Sequence, residues 1–150
     1  MKYWLLKSEP SSYSIDDLAR DGTTAWSGVR NYQARNYMRD GMRPGDQALF
    51  HHSSCETPGI AGIVEIRRAA YPDETQFDRK SRYYDRGATR DEPRWFNVDV
   101  SFLRKTRVVG IAELRSHKAL RKMLLLQRGN RLSITPVTKA EWECIQRLLK

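Results

Sequence analysis

The chemistry on offer in this chain is that of polar side chains standing beside aromatics. Ser8 follows Lys7 and the run Tyr3-Trp4-Leu5-Leu6. Trp26-Ser27 falls in a loop, Asn31 opens a helix, His52-Ser53 closes a strand, and Ser133 stands near a C-terminal strand. Hydroxyls and amides that converge on an aromatic wall can hold one planar base out of its stack. Taken singly, each residue also has a plain structural use. Trp26 can be core, Ser8 and Asn31 can be caps, and Asp99 can face water from a strand.

Catalytic patterns fare worse. The sequence holds no GxGxxG, no phosphate loop and no GxSxG. His51 and His52 are neighbours on a strand, so their side chains point to opposite faces and cannot share a metal. With Cys55 they read HHSSC, which has no zinc-ligand spacing. Pro72-Asp73 followed by Asp78-Arg79-Lys80 has the letters of a nuclease signature, but four intervening residues leave no room for a strand crossing. A surface turn is expected there. An enzyme acting on a nucleobase would have Asp99 or His52 as its acid or base, without a nucleophile or metal cluster beside them. The expectation is no catalytic residue, no metal and no cofactor.

Local patterns predict the elements that must position these groups. Residues 3–7 read as a short buried strand. Ser14-Ile-Asp-Asp is a capping-box-like start for a helix through about Arg20. A second helix is expected over Asn31–Asp40, stopped by Gly41. Arg43-Pro44-Gly45-Asp46 has Pro and Gly where a type II turn wants them. Strands follow at Gln47–Ser53 and Ile60–Ala70. Residues 72–94 form a polar excursion long enough to be functional. Phe96, Val98, Val100 and Phe102 alternate with polar residues, so 95–103 reads as a half-buried strand. One or two short helices over Ile111–Leu125, a strand at Arg131–Ile134 and a helix opened by Thr138-Lys-Ala-Glu141 complete the chain. Strands and helices do not alternate regularly, so a doubly wound parallel sheet is not expected, and an α+β fold with a small curved sheet or barrel decorated by helices fits better.

At 150 residues, 39% hydrophobic and 10% aromatic, the chain suits one domain spanning 1–150 with a real core. No apolar run approaches the ~18 residues of a membrane span. Tyr3–Leu6 gives way at once to Lys7, Ser8 and Glu9, so no signal peptide is expected. Cys55 and Cys144 are the only cysteines, which points to reduced thiols and a cytoplasmic location, or a nuclear one in a eukaryote. Lys plus Arg is 27 against 18 acids, a formal charge of +9. Between Arg104 and Arg131 stand nine basic residues and one acid, Glu113. Such an excess is either a solvated face or the footprint of a polyanion binder.

The segments YWLLKSEP at 3–10, WSGVRNYQARNYMR at 26–39, FHHSSC at 50–55, PGIAG at 58–62, AYPDETQFD at 70–78, PRWFNVDV at 93–100 and RLSITPVT at 131–138 run in the order seen in the EVE domain, which the chain resembles over nearly its whole length. The resemblance implies a PUA-like fold, a small and strongly curved β-barrel with flanking helices. It also implies binding to modified bases in nucleic acid, 5-substituted cytosines in particular, in DNA or RNA. Lys7-Ser8 and Trp26-Ser27 are also similar to YTH readers of methylated adenine. That similarity makes Trp26 one wall of a base cage, gives Ser8 and Ser27 the base edge, and puts Asn130 or Arg131 at the opposite rim. Tyr71, Phe77, Tyr83, Tyr84 and Trp95 compete for the second wall. The expected base-binding set is thus Ser8, Trp26, Ser27, Asn31, His52, Ser53, Trp95, Asp99, Asn130, Arg131 and Ser133. Lys7, Arg30, Arg35, Lys105, Lys122 and Arg128 are expected to hold phosphates.

Overall fold

The computed structural model describes residues 1–150. In chain order the elements are β1 (Tyr3–Ser8), α1 (Ile15–Asp21), β2 (Thr23–Trp26), α2 (Tyr32–Asn36), β3 (Gln47–His52), β4 (Gly59–Pro72), β5 (Phe96–Val109), α3 (Ile111–Arg115), β6 (Ile134–Val137) and α4 (Lys139–Leu148). The strands form one sheet in the order β2-β5-β4-β3-β1-β6. β1 and β3 are parallel and the other neighbours antiparallel. β2 and β6 end the order and are not hydrogen-bonded to each other, so the barrel-like wrap comes from curvature. The long β4–β5 pair supplies it through four register shifts, since each extra residue bends and twists its strand.

Apolar side chains cover the sheet on both faces, which is why β1 reads as a continuous hydrophobic run. Trp4 and Leu6 enter one core with Ile15 and Leu18 of α1, Ala34 of α2 and Phe50 of β3. Leu5 enters the other with Leu49, Leu114 of α3, and Trp142 and Ile145 of α4. Both expected capping boxes form. Ser14 pairs reciprocally with Asp17, and Thr138 with Glu141. Gly45, at φ +95°, takes the left-handed turn position that Pro44-Gly45 predicts, and Asp46 N–H returns to Arg43 O at 3.0 Å.

Four expectations shift. The helix expected over 31–40 is α2 followed by a π-helical turn, Tyr37–Gly41, closed by Met42 N–H on Tyr37 O. The β5 strand runs on to Val109 because β4 pairs with it as far as Ile60. The last strand is 134–137 rather than 131–134, held by β1. Trp26, expected in a loop, ends β2 and pairs with Val98.

Candidate functional site

A cavity of about 580 Å³ opens where β1 ends, β2 ends and the 72–94 excursion folds over. Of the expected residues it brings together Lys7, Ser8, Trp26, Ser27, Arg30 and Ser133. Trp26 is both wall and core: it is 9% exposed and meets Phe50 edge-on at 5.6 Å. The Ser8 hydroxyl donates to Tyr13 O at 2.6 Å, which leaves its oxygen free to accept. Lys7 is half-buried and has no carboxylate within ion-pair distance. Burial lowers its ammonium below the ordinary lysine value.

Sequence reasoning missed several lining residues, among them Tyr13, Thr24, Gly28 and Arg82. Among the five aromatics that compete for the second wall, Tyr83 alone lines the cavity. Gly28 is the reason it can. A β-carbon there would lie 2.7 Å from the Tyr83 ring, and the residue's φ of +76° is one that glycine adopts without strain.

The excursion is clamped by one buried acid and one arginine. Asp73, expected in a surface turn, is fully buried. Its carboxylate accepts from Gly28 N–H at 2.9 Å, Arg30 at 3.1 Å and Thr75 N–H at 2.9 Å. Asn97, with its amide nitrogen turned inward, donates to Asp73 Oδ2 at 3.2 Å and to Trp26 O at 3.3 Å. Burial raises the Asp73 carboxyl, but hydrogen bonds from Thr75, Gly28 and Arg30 outweigh it and hold the group below the ordinary carboxylate value. Arg30 spends its five donors inside the chain, on Tyr83 O, Val29 O, Asp73 and Thr75. It lines the cavity but has no donor left for a phosphate.

The other expected base contacts lie elsewhere. Asn31 caps α2, accepting from Ala34 N–H at 3.0 Å. His52 Nε2 accepts from Ile15 N–H at 3.1 Å, and burial keeps its imidazole below the usual histidine value. Ser53 touches the site only through its backbone N–H, which donates to Ser8 O. Trp95 is buried in the excursion, with its indole N–H on Asp85 at 2.7 Å. Asp99 accepts from the Tyr71 hydroxyl on the opposite face of β5 from Val98 and Val100. Asn130 closes a turn onto Leu132 N–H at 3.1 Å, and Arg131 is exposed outside the cavity.

The expected phosphate set is scattered too. Arg35 donates to Arg94 O and Asn36. Lys105 pairs with Asp16 of α1 at 2.9 Å, whereas Arg107 pairs with Glu113 and Leu148 O beside α4. Lys122 borders a separate depression with Lys118, Arg121 and Thr138. Arg128 is exposed and does not line the cavity. Within the basic segment Lys105 thus reaches α1, whereas Arg104 and Arg107 reach α4 and Lys118, Arg121 and Lys122 border the depression at its start, away from the cavity.

The profile of the EVE domain matches residues 2–148. Thymocyte nuclear protein 1 of Gallus gallus is 46% identical over 95% of this chain, which spans 66% of that relative's length. A crystal structure of a Pseudomonas putida protein superposes with a TM-score of 0.95 at 49% identity, covering 99% of each chain. A crystal structure of the human THYN1 protein in complex with 5-methylcytosine-containing DNA gives 0.93 at 42% identity, covering 100% of this chain and 98% of that one.

Proposed function

This chain belongs to the EVE domain family, and on that premise we propose that it is a single-domain, non-catalytic module that reads a 5-substituted cytosine in nucleic acid. The observation that carries the reading is the cavity walled by Trp26 and Tyr83 and edged by Ser8, Ser27 and Ser133, with Lys7 and Arg82 at its border. An extruded base fits between aromatic walls, hydroxyls meet its polar edge, and cations meet the flanking phosphates. The 5-methylcytosine DNA in the human THYN1 complex supports the choice of base.

Ser8 suits the exocyclic amino group of cytosine in particular. Its hydrogen already goes to Tyr13 O, so the oxygen presents itself as an acceptor. The two groups considered for acid–base chemistry, His52 and Asp99, are occupied by Ile15 and Tyr71 and do not line the cavity. This supports binding over catalysis. The module would act wherever nucleic acid lies, in the cytoplasm or in a eukaryotic nucleus.

The test is a titration panel of short DNA and RNA strands, identical but for one cytosine that is unmodified, 5-methyl or 5-hydroxymethyl, at one stated salt concentration. DNA carrying a 5-substituted cytosine should bind tightest. Equal affinity for all forms would overturn the reading, and a preference for RNA strands would move it to RNA through the 2′-hydroxyl.

A further inference from the structure

From the cavity border outward, guanidinium groups and aromatic rings form an unbroken chain. Arg82 lies 4.9 Å from the Tyr83 ring, and Arg30 lies 5.3 Å from both Tyr83 and Trp95. Trp95 then stacks on Tyr32, with centroids 4.9 Å apart and planes 28° from parallel. Tyr32 ends the chain in solvent. It is 53% exposed, the most exposed aromatic of the protein.

Solvent reaches the Tyr32 ring past its stacked partner. Arg35 lies 4.8 Å from the Tyr32 ring and 5.9 Å from Trp95, and the two rings are 4.9 Å apart. These three distances close a triangle that puts Arg35 beside the stacked pair, not beyond Tyr32. The Arg35 guanidinium, though over the Tyr32 ring, is thus not diametrically opposite Trp95. The platform is also held rigid from behind, because Trp95 is pinned by Asp85 through its indole N–H and by Gln76 through its backbone. A rigid aromatic half in water costs little entropy to bind against.

We infer that Tyr32, backed by this chain of rings, is a strand-tracking platform, against whose exposed ring a base neighbouring the one in the cavity stacks. It rests on the cavity reading above and extends it. The ligand is a strand with at least one unstacked neighbour beside the modified cytosine, that is, single-stranded or locally opened nucleic acid. Base–aromatic stacking accepts any base, so Tyr32 adds affinity without sequence preference.

The test compares parent, Tyr32→Ala and Tyr32→Phe against two probes. One is the mononucleotide 5-methyl-dCMP. The other is a short single strand with 5-methylcytosine flanked by 2-aminopurine on the 5′ side or, separately, the 3′ side. Tyr32→Ala should leave mononucleotide binding unchanged and weaken the strand by about 5- to 100-fold, with Tyr32→Phe restoring it. In the parent, 2-aminopurine fluorescence from one of the two positions should be quenched by stacking, and Tyr32→Ala should relieve that quenching. Because the parent's own quenching is a direct readout, the proposal does not depend on the alanine variant folding well. Unchanged strand affinity in Tyr32→Ala, or no quenching in the parent at either position, overturns the tracking surface. Failure of the cavity reading looks different: the parent then binds strands without regard to the 5-methyl group. A parent that binds no strand overturns both.

Discussion

Arg30 grips the carbonyl oxygen of Tyr83 with two donors, Nε at 3.1 Å and a terminal nitrogen at 2.8 Å, from 53 residues away. The same guanidinium holds Asp73. One side chain thus ties the excursion to the β2 end and holds Tyr83 at the cavity that Trp26 also lines. Arg30→Ala should leave Asp73 buried without its cation, at a cost of about 3 kcal/mol or more. Arg30→Lys should recover only part of this, since an ammonium has three donors in place of a five-donor fork. Urea unfolding measures the loss, and limited proteolysis should find new cleavage between residues 73 and 94. Unchanged stability and an intact excursion in Arg30→Ala would contradict the clamp.

His51 carries the clearest pH signature. It is 3% exposed, neither ring nitrogen has a partner, and burial, with Lys7 and His52 nearby, lowers its pKa to about 4 from 6.5. The unfolded chain therefore takes up a proton on this ring that the folded chain refuses. Stability from the neutral ring is fully present above about pH 6.5 and is lost as pH falls toward about 4, on the order of 3 kcal/mol in all. His51→Leu should flatten that decline and remove two unpaired polar atoms from the core. Urea midpoints at pH 7, 5.5 and 4.5 decide it, and parallel declines in both proteins would count against the assignment.

Ionic-strength dependence locates the phosphates. Lys7 has no carboxylate partner and Arg82 is exposed at the cavity, whereas Lys105 is paired with Asp16 and Lys122 lies at a separate depression. On a single strand, Lys7→Gln and Arg82→Gln should each reduce the log–log salt slope by about 0.7. Lys105→Gln and Lys122→Gln should leave it unchanged. The reverse pattern would return the contact face to the Arg104–Arg131 segment.

What could be read from the sequence was what is set locally. Ser14 with Asp17 and Thr138 with Glu141 declare helix starts within four residues, and both form. The alternation from Phe96 to Phe102 shows β5 for the same reason. Trp26 and Ser27 both line the cavity, but Trp26's place at the end of a strand has no local signature, because four-residue β2 exists only through pairing with β5. Asp73 looked like a turn residue since its burial depends on Gly28 and Arg30, more than 40 residues away. Nothing local separates Tyr83 from the four other aromatics; what singles it out is Gly28 beneath its ring, 55 residues away in the chain. The polar residues misassigned to the cavity, Asn31 and His52, have side chains that accept from helix N-terminal amides, a use their residue types equally suit.

Trp26 and Ser8 answer different questions about the cavity, and only one of them answers cleanly. Trp26 is 9% exposed with its edge contact on Phe50 inside the core, so Trp26→Ala should cost about 3–5 kcal/mol of folding stability and melt early. Its loss of binding would then mix lost stacking with a loosened fold. Ser8 is half-buried at the end of β1, and its removal takes away one hydrogen bond to Tyr13 O and one acceptor for the ligand. Ser8→Ala should melt within a few degrees of the parent, since such a bond contributes ~0.5–1.5 kcal/mol. It should narrow the preference for 5-methylcytosine over thymine severalfold, because thymine carries a carbonyl where cytosine carries the amino group that this acceptor meets, while the walls remain. Phosphate contacts cannot mimic that result, for they carry no base information. The measurement is the ratio of dissociation constants for strands carrying thymine or 5-methylcytosine at the read position, in parent and Ser8→Ala, with melting curves alongside. A ratio that stays at the parent's value, in a variant that is well folded, would remove Ser8 from the base edge.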